Sequence, residues 1–477
     1  MSDTLWTSAE IEAAAGGRAT APFAARGISI DTRTLEPGDL FVALKDVRDG
    51  HDFVEAAMAA GAAGAFVSRK TGEGPQIVVD DVVPALERLG AAARDRAGDA
   101  NRIAVTGSVG KTSVKEMIAR MHRARGPAHW SVKSFNNHWG VPLTLARMPA
   151  DTQNAIFEIG MSTPGEIAPR SRMVAPHTAM ITKIAPAHLE GVGSMEGVAR
   201  EKADIFAGLA DNGRAVLPAD DEWFEFLAER AKAHCPSAEI LTFGTGPDVS
   251  KVEAYETDGA VSRVQVACFG ARVSFTLKAV GVHWALNAAA ALLAACAGSG
   301  IKPVEAAEAL DGYAPPPGRG VAETLALPGG GAFELVDDAY NANPESMRAA
   351  LGALAVRPAG RKLAALGEMF EIGSTSEAEH AALAEPLSAA GVTVAFLGGA
   401  GMEALSAALP GTIQQHFAVK SDELFDHVKN TLADGDLLLI KGSNASGMNR
   451  LADRLRQWSA AADGRVMESG AEFAARD

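Results

Sequence analysis

Short apolar runs that end in polar clusters alternate with stretches of helical apolar spacing along most of the chain, the pattern of an α/β protein. Early in the chain, DLFVAL, GAFVS and QIVV (39–44, 64–68, 76–79) read as strands, and the Ala-rich stretches 53–63 and 83–94 as helices. The polar segment 98–102 separates this unit from RIAVTG (102–107), a strand that runs straight into a glycine turn. AIFEIG, TAMITKI and GRAVLPADD continue as buried parallel strands whose carboxyl ends carry polar residues, where open parallel sheets hold ligands. Shorter alternation over 252–277 predicts an antiparallel addition, and 284–297 a buried helix. Three prolines before Gly318 suit neither helix interior nor central strand and mark a linker. Beyond them, FELVDD, a helix after Pro344, KLAALGEM, a helix over 377–390, VTVAFLGG, DLLLIKGS and a helix ending near Ala460 predict a second parallel sheet with crossover helices. The expected division is 1–98, 99–314 and 315–477, with the last dozen residues as a frayed tail.

Three domains also suit 477 residues. Of these 47% are hydrophobic and 22% charged, a globular composition that excludes disordered, collagen-like and coiled-coil classes. With 44 Lys and Arg against 59 Asp and Glu, the net charge is −15, so no basic face is available for nucleic acid and an anionic substrate must meet local cations. Three scattered cysteines form neither a disulfide framework nor a zinc cluster. No Lys or Arg precedes Arg18, unlike a signal peptide, and the longest apolar stretch, 288–296, is about half a membrane span. The expectation is a cytoplasmic protein without membrane insertion, with a monomer as the simpler state.

Candidate chemistry begins at TGSVGKTS, Thr106 to Ser113. It follows an apolar strand and precedes Val114, Met117, Ile118 and Met121, one face of a helix. Glycines allow close approach to phosphate, the N–H groups of Gly107, Ser108, Val109, Gly110 and Ser113 can point inward, Lys111 can neutralise charge and Thr112 can bind magnesium. The longer glycine-spaced pattern would need glycine where Val105 stands.

The TGxxGKT variant resembles that of the Mur ligases, ATP-dependent amide-forming enzymes of peptidoglycan synthesis, and the family's other segments follow in order over nearly the whole chain. They are SFNNHWGVPLTL from Ser134, EIG around Glu158, AHLEG around His188, REKADIF around Lys202, GVHWALNAAAA around His283 and Asn287, and GRG around Arg319. VDDAYNANPESMRAAL, LGEMFEIG, KGSNASGM and the N-terminal ISIDTRTLEPGDLFVALKDVRDGHDF resemble the branch that adds D-alanyl-D-alanine to UDP-N-acetylmuramoyl-tripeptide. The resemblance implies a uridine-nucleotide domain, a central P-loop ATPase-type domain with a mostly parallel sheet, and a Rossmann-like C-terminal domain. It implies an acyl phosphate made with ATP and magnesium, displaced by the dipeptide amine to give UDP-N-acetylmuramoyl-pentapeptide, a step on which cell shape and division depend.

By the same resemblance, Lys111, Glu158, His188, Lys202 and Arg319 are the catalytic candidates. Thr112, Glu158, His188 and a carbamylated Lys202 would surround magnesium; alone, they read as a solvated acid, a strand-capping histidine and a helix-surface lysine beside the loop threonine. His283 and Asn287 would contact adenosine, and Arg319 and Asp338 would reach the nucleotide once the third domain swings inward. Asp31, Thr32, Arg33, Lys45, Asp49, Gly50 and His51 would hold the uridine diphosphate, Asn136 and Asn137 the muramoyl peptide, and Asn341, Asn343, Lys441 and Ser443 the incoming dipeptide.

Four positions depart from the family pattern: Asn444 stands where arginine is common, Pro218 and Ser134 where asparagine is, and the loop after Leu44 is one residue short. The rivals are the ligase for the third amino acid, against which YNANP speaks, and a folylpolyglutamate synthase, against which the N-terminal segment speaks. A P-loop kinase or GTPase explains nothing downstream of Ser113. A non-catalytic nucleotide-gated scaffold would survive replacement of Lys111, which an enzyme would not.

Overall fold

The computed structural model describes residues 4–462, so the expected tail lies outside the described residues. Three large sheets follow one another along the chain, and a two-stranded antiparallel pair, Trp6–Thr7 with Ala24–Ala25, lies beside the first. The first has five strands in the order Arg18–Ala19, Gln76–Val78, Gly64–Val67, Asp39–Val42, Gly27–Ser29, parallel except at the Arg18–Ala19 edge. Phe41, Phe66 and Ile77 are fully buried, which is why these runs read as continuously apolar. The helix Val82–Arg96 packs its Leu86, Leu89 and Ala93 into this core together with Leu143 and Ala146 of the second unit.

The second sheet has nine strands. Asn101–Thr106 lies between Asn154–Glu158 and Thr178–Ile181, and all strands from Ala128–Trp130 to Ser250–Thr257 run parallel to their neighbours. The antiparallel addition is Ser250–Thr257, Ser262–Cys268 and Ala271–Leu277. Its alternation has a plain cause: Val264, Val266, Cys268, Val273, Phe275 and Leu277 face the buried helix Val282–Cys296, and the residues between them face water. Cys235, Cys268 and Cys296 are free and buried.

The third sheet has six strands, with Val321–Ala326 antiparallel to Ala332–Asp338 and then, all parallel, Asp436–Lys441, Arg361–Gly367, Val392–Gly398 and Gln414–Ala418. The helix expected over 377–390 is two short ones, Ser376–Ala381 and Ala384–Ala389. Pro386 accounts for the break: it has no N–H to give to Ala382, and its ring would crowd that carbonyl. The helix expected over 53–63 is likewise a 3₁₀ turn, Gly50–Phe53, followed by Val54–Ala59, and the chain turns away at Gly61 with φ 95°. Among the described residues no helix is long and apolar enough to cross a membrane.

The carboxyl edges of the second and third sheets face each other. Contacts that span them include Arg319 to Thr112, Lys183 to Glu345 at 2.7 Å, His188 to Glu371 at 2.5 Å, the Glu190 N–H to the Glu371 carbonyl at 3.3 Å, and Ser134 to Tyr340.

Candidate active site

The strand Asn101–Thr106 delivers the chain into the phosphate loop, and the helix Lys111–Arg123 leaves it. Gly110 has φ 81° and no side chain caps this helix, so the N–H groups of its first turn remain available to an anion. Both glycines are required by space: a Cβ on Gly107 would strike the Thr182 hydroxyl, and one on Gly110 would lie 2.7 Å from Asn287 Oδ1. Thr182 Oγ1 also donates to the Val109 carbonyl at 2.5 Å, bracing the loop from the next strand. Thr182 went unnoticed in the sequence, although a polar residue ending the apolar run TAMI was its signal.

Lys111 Nζ donates to the Gly107 carbonyl at 2.6 Å. Burial lowers its pKa, Arg319 adds to that, and Glu158 opposes it. Thr112 Oγ1 donates to Glu158 Oε2 at 2.8 Å and accepts from Arg319 Nη2 at 2.9 Å. Glu158 is 1% exposed; its Oε1 accepts from Asn136 Nδ2 at 2.7 Å and its backbone N–H donates to Ser131 Oγ at 3.1 Å. Asn136, expected on the muramoyl peptide, is here bonded to the carboxylate and aims it. Asn137 is likewise bonded within the chain: its Oδ1 accepts from the Gly140 N–H at 2.8 Å at the start of the helix Gly140–Ala146.

Lys115 was not singled out in the sequence, yet it is fully buried beside this group. It donates to the carbonyls of Ser131, at 2.7 Å, and Lys133, pairs with Glu116, and lies 3.9 Å from Glu158 Oε2. Lys133 holds φ 52°, a strained value for a residue with a side chain, so Lys115 anchors the turn from which Asn136 reaches Glu158.

Lys202 is 1% exposed on the helix Met195–Ala203. Burial, then the charge of Lys111, holds its pKa well below the ordinary lysine value against the pull of Glu201. Glu201 is itself committed to the N–H groups of Gly165, Glu166 and Ile167 at 2.7–2.9 Å. His188 is placed differently from expectation. Its backbone is left-handed, φ 56°, and its Nδ1 meets Glu371 Oε2 at 2.5 Å across the gap between sheets, with Glu371 also left-handed at φ 63°. It is drawn to the third unit rather than into the Thr112–Glu158 pair.

On the third unit, Lys441 is 2% exposed and donates to Asp338 Oδ2 at 2.8 Å and to the Asn341 carbonyl at 3.0 Å. Burial raises the Asp338 pKa against the pull of Lys441 and Arg319. Lys441 is thus tied to acceptors of its own unit. Asn343 caps the helix Pro344–Val356 by accepting from Ser346 N–H at 2.8 Å. Asn341 Oδ1 turns to the Ala342 N–H at 2.9 Å, and Ser443 Oγ accepts from Phe370 N–H at 3.0 Å. Of the adenosine candidates, Asn287 lies over Gly110, whereas His283 faces Lys441 and Glu345.

In the first unit, the loops bearing Asp31–Arg33 and Lys45–His51 leave the carboxyl ends of the paired strands Gly27–Ser29 and Asp39–Val42. Arg33 holds Asp31 through both Nε and Nη2, at 2.8–3.1 Å, and this bonding lowers the Asp31 pKa. Asp49 accepts from the His51 N–H and ring and from Arg69, which lowers its own pKa strongly. His51 Nε2 accepts from the Ser68 N–H at 2.9 Å, so its proton sits on Nδ1, toward Asp49. A Cβ on Gly50 would lie 2.5 Å from the Leu44 carbonyl, so that turn needs glycine; Thr32 and Lys45 lie within these loops. The Lys133 charge reaches Asp31 and links this edge to the central site.

A hydroxyl and a carboxylate converging on one point, next to a helix start with free N–H groups, form the donor set that magnesium and phosphate oxygens require. Thr112 and Glu158 fit the ion in this way.

Comparison with known proteins agrees with this geometry. The chain matches the Mur ligase family catalytic domain over 25–117, the Mur ligase middle domain over 105–295 and the Mur ligase glutamate ligase domain over 326–444. It is 35% identical to the UDP-N-acetylmuramoyl-tripeptide--D-alanyl-D-alanine ligase of Escherichia coli, over 90% of this chain and 93% of that one. It is 33% identical to the Bacillus subtilis ligase of the same name, with the same coverage. A crystal structure of MurF from Acinetobacter baumannii superimposes with a TM-score of 0.81 at 28% identity, covering 95% of this chain and 99% of that one. The chain belongs to the Mur ligase family, in the branch of the UDP-N-acetylmuramoyl-tripeptide--D-alanyl-D-alanine ligases.

Proposed function

We propose that this ligase joins D-alanyl-D-alanine to UDP-N-acetylmuramoyl-tripeptide, forming the pentapeptide precursor of peptidoglycan with ADP and phosphate, and that 1–98, 99–314 and 315–477 are its nucleotide-sugar, ATP and acceptor domains. The observation that carries this reading is Arg319 of the third unit bonded to Thr112 of the phosphate loop, the hydroxyl that also bonds Glu158. One contact thus assembles a phosphoryl-transfer site from two units.

The tripeptide carboxylate oxygen attacks the γ-phosphorus, ADP leaves, and the dipeptide nitrogen then attacks the acyl carbon. Phosphate departs and the nitrogen releases a proton. Lys111, the free N–H groups of the helix Lys111–Arg123 and Arg319 would spread the charge of the transferring phosphoryl group, while Asn136 holds Glu158 in place. Thr112 and Glu158 would hold magnesium, which would supply positive charge against the phosphate oxygens. Contact between the two sheet edges would exclude water that hydrolyses an acyl phosphate.

Lys202 is proposed to be carbamylated. A buried ammonium beside Lys111 is unfavourable, and the neutral amine adds carbon dioxide with release of one proton, turning a repelled cation into an anionic oxygen donor. His188, latched to Glu371, would join the metal site only if that contact yields. The dipeptide would lie along Asn341 and Ser443, and a cytoplasmic location suits its nucleotide substrates.

Phosphate release would be followed with ATP, magnesium and UDP-N-acetylmuramoyl-tripeptide, with and without D-alanyl-D-alanine, and the product weighed by mass spectrometry. Release that needs both substrates and yields the pentapeptide supports the reading; phosphate without amide, or no turnover, ends it.

A further inference from the structure

We propose that Tyr340 is a positioning residue that couples the Ser131–Asn137 turn to Arg319, so that the phosphate-side cation is placed only when that turn is in order. The inference rests on the proposed function and on the family resemblance, by which Asn136 and Asn137 of this turn would meet the muramoyl peptide. No role fell to Tyr340 in the sequence, where it is one aromatic among polar residues.

Tyr340 is 38% exposed, a large ring left at the surface of a cleft rather than packed in a core. Its backbone N–H donates to the Gly318 carbonyl at 3.1 Å, which sets it beside the next residue, Arg319. The Arg319 guanidinium lies over the Tyr340 ring, 4.1 Å from its centroid, and from there donates to Thr112 Oγ1 at 2.9 Å. At its other end the Tyr340 hydroxyl contacts Ser134 Oγ on the second unit.

These contacts close a ring: Ser134 to Tyr340, Tyr340 to Arg319, Arg319 to Thr112, Thr112 to Glu158, Glu158 to Asn136, and Asn136 back to the turn that carries Ser134. Only Tyr340 and Arg319 come from the third unit. A free arginine side chain has about 2 kcal/mol of rotamer entropy to lose on reaching Thr112. Stacking on a ring that is itself held at both ends removes much of that freedom before any ligand arrives. Ser134 stands where the family more often has asparagine, and Lys115 fixes the backbone just before it through the carbonyls of Ser131 and Lys133.

The coupling is read as the factor by which UDP-N-acetylmuramoyl-tripeptide tightens binding of a non-hydrolysable ATP analogue, measured by calorimetry on the full chain. Tyr340→Phe keeps the ring and loses the hydroxyl; Ser134→Ala loses the partner. Each should reduce the coupling factor roughly 2- to 10-fold, the range of one hydrogen bond, and the double variant should lose no more than either single one. Tyr340→Ala should also lower kcat roughly 2- to 5-fold through the lost stacking, with the KM for D-alanyl-D-alanine unchanged. Thermal melts within a degree of the parent would show that all four variants are folded. If the parent makes the pentapeptide but coupling is the same in Tyr340→Phe, or if the two single losses add, the inference falls and the function stands. If the parent makes no amide, both fall.

Discussion

Arg319 and Thr112 are 207 positions apart in the chain, yet the guanidinium of one donates to the hydroxyl of the other at 2.9 Å. The third unit thus already touches the phosphate loop at this contact. Arg319→Ala should lower kcat about 100-fold or more, the cost of removing a charged donor aimed at a transferring phosphoryl group. Because the bond is made to the loop rather than to adenosine, ADP affinity should fall less than tenfold, and Arg319→Lys should recover only part of kcat, since a lysine lacks the planar stack on Tyr340. Steady-state phosphate release and ADP titration check both.

Glu158 is aimed by Asn136 and by the Ser131 hydroxyl on its backbone N–H. Removing the amide in Asn136→Ala frees the carboxylate to turn, and the magnesium needed for half-maximal rate should rise roughly 10- to 100-fold, as for other groups that orient a metal ligand. Asn136→Asp should be worse, because a second carboxylate would repel the first. A magnesium titration of rate, beside magnesium-dependent ADP binding, separates this outcome from simple loss of substrate contact, which would leave the metal requirement unmoved.

How much of this site could be read from the sequence depends on the distance over which each residue acts. Lys111, Thr112 and Glu158 were legible because a loop between strand and helix, or the end of an apolar strand, states its own geometry. The internal partners of Asn136, Asn137 and Asn343 were not legible for one reason: an amide that caps a helix or holds a carboxylate has the same composition as one that meets a sugar. Lys441 reads as an available cation until Asp338, from a neighbouring strand 103 positions away, is seen to hold it. Lys115 and Tyr340 were missed because their partners lie on other segments. The three sheets were legible from apolar runs, whereas the break at Pro386 was a local signal overridden in reading by the Ala-rich composition around it.

Lys202 carries a prediction with a definite sign. Its folded-state pKa lies well below the ordinary 10.5, so between the two values the unfolded chain binds a proton that the folded chain does not. Without the modification, stability should therefore rise with pH through that window, and Lys202→Met should flatten the rise. On the proposed carbamylation the neutral amine would be captured where carbon dioxide is available, and ¹³C-labelled bicarbonate should give one carbamate resonance that Lys202→Met lacks. Removing dissolved carbon dioxide should lower turnover and restoring it should return turnover. An unlabelled parent protein with full activity would exclude the carbamate.

Acid should loosen the contact between the second and third units through His283. Burial pushes its pKa down to about 4 from the ordinary 6.5; the nearby Lys441 acts in the same direction and Glu345 against it. The folded chain thus keeps His283 neutral where the unfolded chain protonates it. The stability this contributes is complete above about pH 6.5 and is lost as pH falls from there toward 4, by about 2 kcal/mol near pH 4.5. His122 and His129, also pushed down to about 4 by burial, should add to the total loss in the parent. The comparison that isolates His283 is between parent and His283→Gln, in urea unfolding at pH 7 and pH 4.5. The variant should lose about 2 kcal/mol less than the parent over that interval; equal losses would mean that His283 is solvated and titrates normally.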